Sequence, residues 1–407
     1  MTNRLRIALG TAFPDHCATW LPSQRDDDER ERLTSELRFT ALNLLRAYDR
    51  KLRPLSRLQR LAREAGARLW ALNSLLRALI AGFRLNPSAI LDCWRVALKY
   101  NVSPNAYFKL RLFEPHNRSR IRRYIHEQEM AALIGASVQQ LAHAQRHAVN
   151  DKLSLFFDCQ EAGIPAAPVL AYTRNGEVHQ IAPDEDFRRD LIIKVNDLAV
   201  GEGVELITWD GTGWEYGGKR LTYADLTQAL SIKSTGHDAA LLQPRLANHA
   251  AIKPLTARGL STVRVVTISF PGAPPDVAAA SMRMSVGESI VDNIGAGGLT
   301  APVDIQSGTL IGPAAGKNIL NGWFDRHPDT NAAIHLVLPY WREACALCLR
   351  AHERHSAIPT VGWDVAILDD GPVILEGNVW WDSELAQANG YIAYGETKIA
   401  EALHRER

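Results

Sequence analysis

Residues 361–378, Val-Gly-Trp-Asp-Val-Ala-Ile-Leu-Asp-Asp-Gly-Pro-Val-Ile-Leu-Glu-Gly-Asn, constrain the fold more than any other stretch of the chain. Two apolar, β-branched runs flank Asp369-Asp370-Gly371, a turn-forming triplet in which Gly371 can take positive φ, so the segment reads as a β-hairpin. If Leu368 pairs with Pro372 across a three-residue loop, counting back along both strands sets Asp364 opposite Glu376. A two-residue loop would shift the register and put the carboxylates on opposite faces. Cross-strand Cβ atoms lie about 5 Å apart, where like charges repel by roughly 3 kcal/mol at an effective dielectric of about 20. A divalent cation turns that repulsion into attraction. Asn378, two residues beyond Glu376, shares its face and adds a neutral oxygen. Asp364, Glu376 and Asn378 are therefore candidate metal ligands, and oxygen-only donors favour Mg²⁺ or Mn²⁺. A solvated hairpin tip accounts for Asp369 and Asp370, but not for Asp364 and Glu376 within apolar runs, where unpaired charge is costly.

At 407 residues the chain can hold two or three domains with substantial cores. Its 46 basic and 45 acidic residues make no overall electrostatic case for nucleic acid, and none is expected as a partner. Arginine is concentrated in the first third, with Arg46, Arg50, Arg53, Arg57, Arg60, Arg63 and Arg68 in quick succession. Between them Leu55, Leu58, Ala62, Ala65, Leu69, Leu72, Leu76 and Leu79 recur at steps of three and four. Such a basic amphipathic region could rest peripherally on an anionic membrane or dock a partner helix, although solvated arginines on an ordinary helical domain explain it more simply. Five scattered cysteines do not form a disulfide framework, and Cys345 and Cys348 read as core positions of a helix. Met1 is not followed by an adequate apolar h-region and no stretch is long enough to span a bilayer, so a cytoplasmic location is expected.

Residues 1 to about 150 read as mostly helical, and from Asp151 strands and helices alternate. Asp151 can cap a helix that stops at Gly163. Strands are expected at 191–195, 204–209, 239–243, 262–269 and 277–284, and helices at 223–230 and 333–354. Lys194 ends the run Leu191-Ile192-Ile193, where a lysine needs an anion to stay charged, and Gly201 and Gly203 follow in a loop whose N–H groups could approach a phosphate. Lys152 sits in the first turn of its helix, where an anion would offset an unfavourable dipole. Arg264 and Arg283 each interrupt an apolar strand and suit bidentate contact with phosphate or carboxylate. The loop Asp292-Asn293-Ile-Gly295-Ala-Gly297-Gly298 could offer main-chain contacts to a ligand. No Ser-His-Asp signature, H-E-x-x-H motif or P-loop is apparent.

Taken in order, these pieces resemble the ATP-grasp superfamily. The resemblance is carried by Asp151-Lys152 opening a helix that ends in Ala-Gly-Ile-Pro, Ile193-Lys194 before a glycine loop, Leu-Leu-Gln-Pro-Arg-Leu, and the acidic hairpin ending Leu-Glu-Gly-Asn. Leu260-Ser-Thr-Val-Arg264-Val-Val-Thr, Asp-Asn-(x)3-Gly-Gly, Arg326-His327-Pro328-Asp329 and Gly-Trp-Asp-(x)11-Glu-Gly-Asn narrow it to the sugar-transfer-associated ATP-grasp family. It covers residues from about 90 to 405. The resemblance implies an α+β ATP-grasp fold, two α+β subdomains clasping ATP, preceded by an arginine-rich, mostly helical N-terminal region. The boundaries expected are 1–130 for that region, 131–245 for the subdomain with the phosphate flap and 246–407 for the one with the metal site. It further implies that Lys152 and Lys194 hold the phosphates under a loop containing Gly201 and Gly203, and that Gln243 and the backbone of Arg245 and Leu246 receive adenine. Asp364 and Glu376 would hold one Mg²⁺ and Glu376 with Asn378 a second. Arg264 and Arg283 would stabilise the transferred phosphoryl or orient a carboxylate. Gln243 stands where many relatives carry an acid, and Gly362 where peptide-forming relatives often place arginine, a role passed here to Arg283.

The reaction so implied is carboxylate activation by ATP to an acylphosphate and attack by an amine, with a polysaccharide precursor or specialised metabolite as substrate. A kinase on the same fold and a nucleotide-binding module without turnover are the alternatives. Small-molecule acid and amine are the expected partners, and a homodimer is compatible with the sequence.

Overall fold

Asp151 divides a helical half from a sheet-forming half. The computed structural model describes residues 28–52, 87–100, 102, 104–197, 203–256, 258–316 and 322–405. The leucine-arginine stretch 55–79 and Gly201 lie outside them. Ahead of Asp151 come helices α1 (Glu29–Leu52), α2 (Pro87–Tyr100), α3 (Pro104–Lys109), α4 (Pro115–Ser119), α5 (Glu127–Gln140) and α6 (His143–Asn150). Arg38 of α1 and Glu129 of α5 form a buried ion pair at 2.8 Å. Arg123 reaches Glu396 at 2.8 Å, so the helical layer is fastened to the end of the chain. Helix α7 (Lys152–Glu161) opens where Asp151 accepts a hydrogen bond from the Ser154 amide at 2.8 Å. It is followed by Gly163 at φ +61°, a left-handed stop.

Seven strands then build a first sheet: β1 (Ala171–Arg174), β2 (Glu177–Gln180), β3 (Leu191–Val195), β4 (Glu205–Trp209), β5 (Trp214–Tyr216), β6 (Lys219–Leu221) and β7 (Ala240–Pro244). Their order is β2-β1-β7-β3-β4-β5-β6, antiparallel throughout. Along β3, Leu191, Ile193 and Val195 are buried, and Leu191 and Ile193 pack with Leu226 and Leu230 of helix α8 (Tyr223–Lys233). Alternation turns Lys194 to the other face, where Leu241 packs with Leu153 of α7.

A second sheet of β8 (Thr262–Ile268), β9 (Asp276–Met284), β10 (Leu299–Pro302), β11 (Ala314–Gly316), β12 (Trp323–Phe324), β13 (Thr360–Leu368) and β14 (Gly371–Asn378) has the order β12-β11-β10-β9-β8-β13-β14. It too is antiparallel throughout. Helix α9 (Trp341–Arg354) covers one face, where Thr267 joins His352 at 2.6 Å and receives the Trp363 indole N–H at 2.8 Å. The helix expected from residue 333 begins at Trp341, because Val337 still bridges Thr309 and the Leu338 amide is bonded to Gly308. Asp364, next to Trp363, faces the opposite side. Trp381, bonded to Thr360 at 3.1 Å, and helices α10 (Glu384–Gln387) and α11 (Lys398–Arg405) complete the described chain.

The hairpin closes differently from the three-residue loop expected. Leu368 pairs with Gly371 across Asp369-Asp370, the tight turn that would have separated the carboxylates. The pairing then skips Leu375: Val365 faces Ile374 while Asp364 faces Glu376. One bulged residue reverses the shift and returns both acids to one face.

Candidate active site

The two sheets are stitched together beside this hairpin. The Ala167 amide donates to Ile374 at 2.8 Å and the Ile374 amide to Pro165 at 3.0 Å, which sets the segment leading into the first sheet against the edge strand β14. Lys152 and Lys194 thereby arrive beside Glu376 of the second sheet. Lys152 Nζ lies 3.9 Å from Glu376 Oε2 and donates to the Asn196 carbonyl at 3.0 Å. Removal from water, followed by the charge on Lys152, pushes the Lys194 amine down to about 8, against the opposing pull of Glu376.

Asn196, to which sequence reasoning assigned no role, ties the start of α7 to the end of β3. Its side chain accepts from the Leu153 amide at 3.2 Å and donates to the Asp151 carboxylate. The cap of α7 and the end of β3 are thus one unit. Its signal was position alone, two residues past Lys194.

On the second sheet, Arg264 and Asp364 are cross-strand partners. Arg264 donates to both Asp364 oxygens, from Nη2 at 3.0 Å and from Nε. Arg283 Nη2 approaches Asp364 Oδ2 at 2.8 Å and Asp292 Oδ1 at 3.5 Å, and also donates to Thr262 at 2.7 Å. Asp292 accepts the Thr262 amide at 2.7 Å. Burial favours a protonated Asp364, but Arg264 and Arg283 prevail and hold its carboxyl well below the usual range. At Asp292 burial wins over Arg283, and its carboxyl is raised. The Arg283 guanidinium is raised, since Asp292, Asp364 and Glu376 outweigh its burial.

The expected metal ligands are together but unequal. Glu376 is partly exposed, and Asn378 donates its amide nitrogen towards the Gly362 carbonyl at 3.5 Å, which leaves the amide oxygen for a ligand. Both suit a hard cation. Asp364 has both oxygens engaged by arginine, so it joins them only where a guanidinium yields. Among the described residues no group of three or more His, Cys, Asp or Glu side chains is arranged to hold a metal ion.

The positions expected to receive the base lie at the end of β7 and just beyond it. Gln243 is buried, with its amide nitrogen 3.3 Å from the Ala167 carbonyl. The Arg245 backbone N–H is taken by the Asp190 carbonyl at 2.9 Å and its guanidinium by Asp190 and the Arg258 carbonyl, both at 3.1 Å. Leu246 is partly buried next to it. Gly203 lies in a turn at φ +72°. No described helix is long and apolar enough to cross a membrane.

Comparison with curated protein sequences finds no match. Among solved structures the chain is similar to a D-alanine–D-alanine ligase from Bacillus anthracis complexed with ATP, at 10% identity and TM-score 0.39, covering 64% of this chain and 66% of that one. It is also similar to D-alanyl-alanine synthetase A from Vibrio cholerae, at 8% identity and TM-score 0.38, with 64% and 63% covered. A third is an ADP complex of purK, N5-carboxyaminoimidazole ribonucleotide synthetase, at 13% identity and TM-score 0.34, with 58% and 46% covered. The chain spans less than two thirds of the length of each. The sugar-transfer associated ATP-grasp family matches residues 139–401, well over half of the sequence. This match makes the chain a member of the sugar-transfer associated ATP-grasp family, with an α+β fold built on two antiparallel seven-stranded sheets.

Proposed function

We propose that this protein is an ATP-dependent carboxylate–amine ligase that works through an acylphosphate. The observation that carries the reading is the meeting of Lys152 and Lys194 from the first half of the chain with Glu376, the cross-strand partner of Asp364, from the second, closed by the 3.9 Å approach of Lys152 to Glu376. Lys152, Lys194, Arg264 and Arg283 set against Asp292, Asp364 and Glu376 leave one net positive charge when all are ionised. A triphosphate carries roughly four negative charges, so the side chains alone do not neutralise it. Mg²⁺ fits the deficit: Glu376 and Asn378, with Asp364 where an arginine yields, would hold it, and bound there it would screen charge on the phosphates.

In the reaction a carboxylate oxygen of the acid attacks the γ-phosphorus, the β–γ bridge breaks and ADP leaves. The amine then attacks the acyl carbon, phosphate departs, and the amine's surplus proton is lost to solvent or a nearby base. The chain itself contributes position and charge. Lys152 and Lys194 fix the phosphates, while Arg264 and Arg283 stand where the acid must approach. No side-chain nucleophile takes part. The family's association with sugar transfer favours an acid or amine attached to, or destined for, a sugar; a specialised metabolite is served by the same chemistry.

Incubation with ATP, Mg²⁺, a panel of carboxylic acids and hydroxylamine tests the reading. Acid-dependent hydroxamate with stoichiometric ADP and phosphate is the expected result. AMP with pyrophosphate would refute the acylphosphate route, and a stable phosphorylated product would indicate a kinase.

A further inference from the structure

The strand that carries Glu376 and Asn378 is an edge strand, paired with β13 on one side, and its pairing ends at Asn378. Between the bulge at Leu375 and that end lie three residues, Glu376, Gly377 and Asn378. A bulge disrupts the ladder locally, so the direction of these side chains depends on what holds the outer side of the strand.

The end of α6 holds it. The Val379 amide, the first beyond the strand, donates to Asn150 Oδ1 at 3.0 Å. Val149 packs at Gly377, where an added Cβ would come within 2.6 Å of Val149 Cγ1. One residue further, Trp380 lies against Gly135 of α5, where a Cβ would come within 2.7 Å of the ring. Asn150 is not a helix stop. It lies inside α6, and Asp151 after it is extended at φ −83°, ψ 118°, so the left-handed conformation that favours asparagine at helix ends is not in use. Asn150 is itself exposed, whereas Val379 is buried, so its carbonyl serves the hairpin.

The next two residues reach the first sheet. Asp151 accepts from the Asn196 side chain, and Lys152 donates to the Asn196 carbonyl at 3.0 Å while approaching Glu376 at 3.9 Å. Four consecutive residues, Val149 to Lys152, therefore contact Gly377, Val379, Asn196 and Glu376. Successive Cα atoms are a fixed distance of about 3.8 Å apart, so this segment ties the end of β3 to the end of β14 at one spacing.

We infer that Asn150 is a positioning residue for the metal ion. By holding the Val379 amide it fixes the adjacent Asn378, and with it the spacing between Lys152 and the Glu376–Asn378 pair. The inference rests on the nucleotide reading for the identity of the cation and its phosphate partner. Removing a group that orients a metal ligand from behind typically costs about 10–100-fold in metal affinity.

Mn²⁺ binding in the presence of ATP, read by electron paramagnetic resonance on the full chain, tests this, with mant-ATP titrations in EDTA alongside. Asn150→Ala should weaken Mn²⁺ binding about tenfold and leave metal-free mant-ATP affinity within about twofold of wild type. Added to Asn378→Ala, it should weaken Mn²⁺ binding no further than Asn378→Ala alone, because Asn150 acts through that ligand. Mn²⁺ binding by Asn150→Ala equal to wild type would overturn the inference. So would losses that multiply in the double variant, or a parallel loss of metal-free mant-ATP binding, which marks a general structural fault. A wild type that binds no Mn²⁺ with ATP would instead overturn the metal reading itself, and the role of Asn150 with it, before any variant is compared.

Discussion

Replacing Lys194 with methionine should make the ligand-free protein more stable and the nucleotide site worse. In the folded cleft the amine drops from 10.5 to about 8, through loss of water first and Lys152 second. That difference corresponds to roughly 3 kcal/mol in favour of the neutral amine, and at pH 7, where the side chain is still mostly charged, nearly all of it opposes folding. Methionine keeps the length and removes the charge. Urea unfolding at pH 7 without nucleotide should therefore show Lys194→Met more stable by up to about 3 kcal/mol. The sign reverses nothing at high pH but shrinks the gap: between pH 8 and 10.5 the unfolded chain binds more protons than the folded one, so wild-type stability rises with pH. By pH 10 the gap should fall to roughly 1 kcal/mol. Affinity for mant-ATP should drop tenfold or more, since a desolvated cation facing a phosphate is lost. A variant no more stable than wild type at pH 7, or a gap that does not narrow by pH 10, would refute the claim that Lys194 is held charged against its environment to await an anion.

Asp364→Asn leaves Arg264 and Arg283 buried without their shared counter-charge, and denaturation should show a loss of about 3–5 kcal/mol. Because the wild-type carboxyl is held below its ordinary range, its contribution is present above about pH 4 and lost as pH falls through the lowered folded value; the acid-unfolding profile of the variant should lack that component. Glu376→Gln, at a partly exposed carboxylate, should change stability by less than about 1 kcal/mol, yet abolish binding of Mn²⁺ read by electron paramagnetic resonance in the presence of ATP. Gly362→Ala drives a Cβ against Trp381 and Arg264 and should cost about 1–3 kcal/mol in urea unfolding, with a raised KM for the acid.

Much of the site was legible because its chemistry is local. Alternation along β3 and β13 fixed which way Lys194 and Asp364 point, and the Asp151 cap and Gly163 stop bounded α7 within two residues. The short strands β1, β2, β5, β6 and β10–β12 escaped notice, since two to four residues carry too little periodicity to declare a strand. The roles of Asn196, Thr262 and Asp292 were equally hidden: each depends on a partner that the fold, not the sequence, brings near.

By itself the sequence determined that two apolar runs carrying two acids and an amide would form a hairpin, and that basic side chains would project from otherwise apolar strands, because side-chain direction follows from backbone period. Which of these groups meet was decided by tertiary structure. The bulge at Leu375 restored the face that a tight turn had reversed, and hydrogen bonds between Pro165, Ala167 and Ile374 brought lysine to glutamate. The cross-strand pairing of Arg264 with Asp364 made the expected metal ligand the shared counter-charge of two arginines as well. Register and inter-sheet contact are sums over many weak, distant interactions, and no local pattern encodes them.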